Sequence, residues 1–163
     1  MTDQLTRIYD TSRNIIEWER DISSLSGDIK ALLNQKSRLQ VTGDKEYIMS
    51  QLIDHTPIQM FSTIYEDISA LLSAYQELSD AEEYDFLLAT IKDDMCTQFH
   101  YDMNKLRLLC TYAGPGTLWL SNSNVNWPAF HDRMIQDEIV IDKDQVHQAK
   151  TGAIVILKGA YYN

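Results

Sequence analysis

Phe99-His100-Tyr101-Asp102, followed by Leu106-Arg107-Leu108-Leu109-Cys110-Thr111-Tyr112 and Gly114-Pro115-Gly116-Thr117-Leu118-Trp119-Leu120, decides how this chain is read. A His-x-Asp pair precedes an apolar run, and a Gly-Pro-Gly turn closes it. Such a run between turn residues reads as a strand. If residues 96–102 are extended as well, period two places Cys96, Gln98, His100 and Asp102 on one face. An imidazole and a carboxylate two residues apart on a strand can share one divalent metal. They form two-thirds of a two-His-one-carboxylate triad on iron, or part of a zinc site whose remaining place holds water. The plainer alternative is a histidine paired with a nearby carboxylate for structure alone. Spacing does not separate the two.

In the next strand Arg107 and Thr111 share a face with Leu109 between them, and Leu106, Leu108, Cys110 and Tyr112 take the other. An inward Arg107 would meet an anionic substrate or Asp102 itself; an outward one would meet surface acids. Arg107, Thr111 and Trp119 are the candidates to line a substrate space. Cys96 is either a soft third ligand favouring zinc or a small buried hydrophobe, and Cys110 reads as core. Beyond Leu120, Ser121-Asn122-Ser123-Asn124 is a polar loop, and 127–135 suggests a short helical turn after Pro128. Residues 138–141 and 152–162 are apolar and β-rich.

Upstream, residues 1–14 read as an irregular arm, and Ile15-Ile16-Glu17-Trp18 as a strand or the lead-in to a helix. A helix is predicted from about Asp21 to Gln35, with Leu25, Ile29, Leu32 and Leu33 on one stripe. Leu39 and Val41 alternate as a brief strand closed by Thr42-Gly43-Asp44. A second helix covers 45–53. A third follows Thr56 as N-cap and Pro57 as first helical residue, with Ile58, Phe61, Ile64, Ile68, Leu71, Leu72 and Tyr75 on its apolar face. Met60, Phe61 and Tyr65 are read as core rather than as a cofactor box. An acidic turn at 79–83 leads into a strand over 86–91. Helices first and strands second predict an α+β fold, with helices on a mostly antiparallel sheet. The expected organisation is one domain over 1–163, with 1–80 a helical wrapping and 84–162 β-rich.

Composition narrows the functional classes. A net charge of −10, from 24 acids against 14 bases, leaves no basic stripe for phosphate contacts, so nucleic acid is not an expected partner. No apolar run approaches the roughly 18 residues of a membrane span, and the N-terminus lacks a secretory layout. A cytoplasmic location is therefore the default expectation, with the two cysteines, Cys96 and Cys110, reduced.

With these residues in view, the chain resembles a bacterial family known as domain of unknown function 1826. The resemblance runs from Asn14-Ile15-Ile16-Glu17-Trp18-Glu19-Arg20 through Glu66-Asp67-Ile68. It is strongest over Cys96-x-x-Phe99-His100-x-Asp102 and Thr111-Tyr112-x-Gly114-Pro115-Gly116-Thr117-x-Trp119-Leu120, and it closes on 152–159 with Lys158-Gly159. The family pattern looks like the double-stranded β-roll, or jelly roll, of cupins and iron/2-oxoglutarate oxygenases. The resemblance thus implies Fe(II) or Zn(II) at His100 and Asp102, and a distal histidine after Lys-Gly. This sequence departs there. It ends at Tyr161-Tyr162-Asn163, so the roll is expected to be incomplete at its C-terminus. No arginine follows the last strand to bind 2-oxoglutarate, which makes that cosubstrate doubtful. His147, or less readily His131, is left as a third ligand, with Cys96 the other option.

Two readings follow from the sequence. One is a metal-binding β-roll protein of the iron- or zinc-dependent oxygenase type, acting on a small molecule of unspecified class. The other is a non-catalytic scaffold for metal storage, sensing or a protein partner, with a degenerate site. The sequence does not specify an oligomeric state.

Overall fold

The computed structural model describes residues 2–36, 38–56, 62–92, 98–131 and 136–162. In chain order the helices and strands are α1 (Thr2–Leu5), β1 (Ile15–Trp18), α2 (Ser26–Gln35), β2 (Arg38–Gly43), α3 (Lys45–His55), α4 (Ser62–Ser79), β3 (Tyr84–Ala89), β4 (Leu106–Cys110), β5 (Leu118–Trp119), α5 (Trp127–His131), α6 (Gln136–Ile139), β6 (His147–Gln148) and β7 (Ile154–Lys158). The fold is α+β. Its strands form one three-stranded antiparallel sheet and two antiparallel pairs, and no barrel closes among the described residues. No described helix is long and apolar enough to cross a membrane.

The chain forms two compact units: Met1–Thr2 with Asp21–Asp94, and Asp3–Arg20 with Met95–Asn163. In the first, β2 pairs antiparallel with β3 from Arg38↔Ala89 to Gly43↔Tyr84, and α3 packs on β2. Gly43 ends the strand because a Cβ there would strike the Tyr47 ring. Asp44 then caps α3, its side chain accepting from the Tyr47 amide at 2.7 Å. The helix α4 buries Ile64, Ile68, Leu71 and Leu72 of the stripe its 3.6-residue spacing predicts, with Tyr75 half-buried, and it buries Ala74 and Leu78 as well. Fully burying one such Leu or Ile side chain contributes about 1.5–3 kcal/mol. Asp28 of α2 accepts from the Thr63 hydroxyl and from the amides of Thr63 and Ile64, fastening α2 to the start of α4.

Thr56 stands at the end of α3. Its N–H and its hydroxyl both donate to the Leu52 carbonyl oxygen, at 3.2 and 2.5 Å, so it closes α3. Pro57, Ile58, Met60 and Phe61 lie outside the described residues, while Tyr65 is half-buried on α4.

The second unit is organised on β7. It lies between β1 and β4, with Ile15↔Leu157 on one side and Leu109↔Val155 on the other. Ile154, Val155 and Ile156 are all buried because both faces of this strand are covered, which accounts for its uninterrupted apolar sequence. Ile15, Ala149 and Val155 form one cluster, joined by Leu109, Trp119 and Leu157. Residues 6–9 form a 3-10 turn packed on β1 and β7, and Leu5 and Ile8 are wholly buried. The N-terminal segment is therefore part of a core, not an irregular arm.

Two stretches expected as strand are not. Residues 98–105 form bends and irregular backbone, and β4 starts at Leu106. Glu138 and Ile139 belong to α6, with only an isolated bridge from Val140 to Val125. A short β-branched run carries too little periodicity to separate helix from strand. Here Asn126 decides: its amide donates to Ile139 O at 2.8 Å and its side chain to Glu138 O at 3.0 Å.

Candidate functional site

The His-x-Asp pair sits in the loop 98–105 that feeds β4. Because this loop is not a strand, alternation does not set its side-chain directions; specific contacts do. His100 Nδ1 lies 2.9 Å from the Gln98 carbonyl oxygen. A carbonyl only accepts, so Nδ1 carries the proton in that contact. The other ring nitrogen, Nε2, lies 3.6 Å from Asp102 Oδ1. Arg107, the second residue of β4, donates from Nη1 to the same Oδ1 at 2.9 Å. Tyr101, between the two, lays its ring on Phe130 of α5, with centroids 5.2 Å apart.

The carboxylate is the sheltered member: 19% of its side chain is exposed, against 50% for His100 and 47% for Arg107. A neutral imidazole protonated on Nδ1 presents its Nε2 lone pair to a carboxylate oxygen. Two acceptors face each other across a gap too long for a hydrogen bond. A cation between them makes the arrangement favourable, whether a proton on Nε2 or a metal ion. Metal bonds of about 2.0–2.2 Å at tetrahedral angles place two donor atoms roughly 3.3 Å apart, close to the observed gap. A histidine whose remote nitrogen is bonded to a backbone carbonyl is also how ligating imidazoles are commonly oriented. The pair thus fits a divalent ion as two of its donors.

Arg107 meets Asp102 itself, one of its two expected inward partners, while staying half-exposed. Thr111 does not join it. It follows β4 four residues after Arg107, roughly 13 Å along an extended chain, and its carbonyl accepts from the Gly152 amide at 2.8 Å. Trp119 pairs with His147 across β5 and β6, and their rings stack at 4.3 Å. The indole also packs against the Ile15–Ala149–Val155 cluster, and its buried Nε1 has no acceptor among the described residues. His131 leans on Trp127 with ring centroids 5.8 Å apart. Cys96 lies outside the described residues. Among the described residues no group of three or more His, Cys, Asp and Glu side chains is placed to hold a metal ion. Cys110 is partly buried and accepts from Arg20 Nη2 at 3.3 Å.

Sequence reasoning missed the backbone that holds this loop. Gly159, Ala160 and Tyr161, just past β7, donate their amides to the carbonyls of Lys105, Asp102 and Asn104 at 2.9, 2.8 and 3.0 Å. The available signal was a glycine directly after an apolar strand, which often marks a close backbone approach.

Comparison with known proteins adds one assignment. The family model described as protein of unknown function (DUF1826) matches residues 1–163. No curated protein and no solved structure matches the chain.

Proposed function

This chain belongs to the DUF1826 family, and we propose that it is a metal-binding protein with His100 and Asp102 as its first two ligands and Fe(II) or Zn(II) as the ion. The observation carrying this reading is the 3.6 Å approach of His100 Nε2 to Asp102 Oδ1, with Nδ1 turned to the Gln98 carbonyl. In this proposal the third ligand is Cys96, since His147 is stacked on Trp119 and forms no group of three with the pair. Bound there, zinc would supply Lewis-acid polarisation and iron a redox centre with open positions. The chain's own residues supply position. Gln98 O fixes the imidazole tautomer, and Arg107 orients the carboxylate through Oδ1. The half-exposed Arg107 guanidinium is also available to the anionic group of a small-molecule substrate. The finer fold reading, a cupin-like double-stranded β-roll, belongs to the same proposal and is supported by the antiparallel pairing of β1, β7 and β4.

A second reading, a non-catalytic storage, sensing or protein-binding scaffold, is favoured by Arg107. Its guanidinium already balances the carboxylate that a metal would need. One experiment separates metal binding at the pair from a protein-binding scaffold with a degenerate site. Protein purified without chelators is analysed for metal beside His100→Ala and Asp102→Ala. Near-stoichiometric iron or zinc, absent from both variants, is expected. Folded wild-type protein that takes up neither metal after anaerobic loading would overturn the metal reading.

A further inference from the structure

The pair is carried by a loop with no ladder of its own, so something else must hold it to the sub-ångström tolerance that a shared cation demands. The register of β4 with β7 supplies it. Leu106 faces Lys158, and one step further the Gly159 amide donates to Lys105 O, extending the ladder by one rung. The chain then curls into a hook over 158–162. Ala160 N–H reaches the carbonyl oxygen of Asp102 at 2.8 Å, and Tyr161 N–H that of Asn104 at 3.0 Å. The hook is closed on itself by Tyr162 N–H to Gly159 O at 3.2 Å, and Lys158 Nζ lies 4.5 Å from the Tyr162 ring centre. Lys158 also donates to Asp10 O at 2.8 Å.

Residue 159 is where hook and loop touch. A Cβ there would overlap the backbone oxygen and Oδ1 of Asn104 and come within 2.7 Å of Asp102 O. Two of these obstacles are backbone atoms, which cannot swing aside. Asn104 Oδ1 is itself buried with no donor among the described residues.

We propose that Gly159 is a positioning residue for the His100–Asp102 pair: the absence of a side chain lets the 158–162 hook grip the main chain of Asp102 and hold its carboxylate opposite the imidazole. The inference rests on the metal reading of the pair for its purpose, but not for its geometry.

The test compares Gly159→Ala, Ala160→Pro and a control, Val155→Ala. The proline variant removes the N–H given to Asp102 O and sets a ring carbon against that oxygen, at a position whose side chain is exposed. The control weakens the same strand away from the loop. Zn(II) affinity is measured by competition with a chromophoric chelator, the His100 ring by 1H–13C correlation, and the amides of 159–161 by hydrogen exchange. Gly159→Ala and Ala160→Pro are expected to weaken Zn(II) binding by about tenfold or more, shift the His100 ring signals and lose protection at 159–161. Val155→Ala is expected to unfold more readily with zinc affinity intact. Unchanged zinc affinity and ring signals in a folded Gly159→Ala would overturn the proposal, as would an equal zinc loss in Val155→Ala. Should Gly159→Ala not fold, Ala160→Pro decides by the same criteria. Should wild type bind neither Zn(II) nor, under anaerobic loading, Fe(II), the metal reading fails by itself, and the ring signals and exchange data still decide the role of Gly159.

Discussion

Asn124 and Asp102 both sit in loops of the second unit, and they use their surroundings in opposite ways. Asn124 is 2% exposed, and its side chain is saturated: Nδ2 donates to Asp142 O and Gln145 O, and Oδ1 accepts from the Asp142 amide. Asp102 meets two charged or chargeable side chains that both reach into solvent. A saturated, buried amide has nothing left to offer a ligand and acts as a pin between 121–125 and 142–145. A carboxylate between an exposed imidazole and an exposed guanidinium retains capacity for exchange. The difference separates a structural polar residue from a functional candidate without appeal to conservation.

The largest test of that contrast is Asn124→Ala. It removes three part-buried hydrogen bonds between a buried side chain and the backbone of Asp142 and Gln145, and should cost about 2 kcal/mol of unfolding free energy. Urea denaturation should show this, with any zinc affinity of the folded fraction unchanged. Loss of zinc affinity at full stability would break the comparison. A smaller effect tests the same rule in the first unit. The Thr63 hydroxyl holds the Asp28 carboxyl below its ordinary range; desolvation opposes it, and the Ile64 and Thr63 amides add smaller lowering contributions. A depressed folded-state pKa stabilises fully above the unfolded value near 3.8 and is lost as pH falls through the folded value. Asp28→Ala should therefore destabilise only modestly at pH 7, solvent screening of this partly exposed carboxylate keeping the loss below about 1 kcal/mol, and the difference from wild type should shrink below about pH 4. Paired denaturation curves at pH 7 and pH 3 read this directly. An undiminished difference at pH 3 would assign the effect to packing. The smallest effect belongs to His100→Ala, which should move stability by no more than about 0.5 kcal/mol. A Tm loss comparable to that of Asn124→Ala would make the imidazole structural.

Much of this fold was legible in the sequence, for a reason that also explains what was not. The stripe from Ile64 to Leu72, the strand around Leu39 and Val41 and the apolar run of β7 each repeat a pattern often enough to be read. Leu5 and Ile8 are only two apolar residues in a polar segment, and nothing local reveals that both are buried. Glu138 and Ile139 turn helical because Asn126, far behind them in sequence, holds their carbonyls. At the site, the His-x-Asp spacing and Arg107 as a partner of Asp102 could be read directly. The spacing implied a strand, however, and the loop brings the two side chains together by other means. The part of Gly159 was invisible, since a steric vacancy leaves no mark on a linear pattern. Trp119 and His147 were read as site residues because of their chemistry, and the structure stacks them on one another beside an apolar cluster.

The position of β7 carries a consequence for biosynthesis. This strand is the middle rung of its sheet, yet it is the last of the three to be synthesised. β1 and β4 have no shared neighbour until then, and β1 must wait until residues 154–158 are made for the partner of Ile15 and Ile16. Nascent chains therefore expose the hydrophobic edges of both strands, while the contiguous 21–94 segment already has all of its own elements. Such long-range pairing is slow and prone to mispairing. Overproduction would tax chaperone capacity at the second unit, and stalled or prematurely released chains would aggregate through β1 and β4.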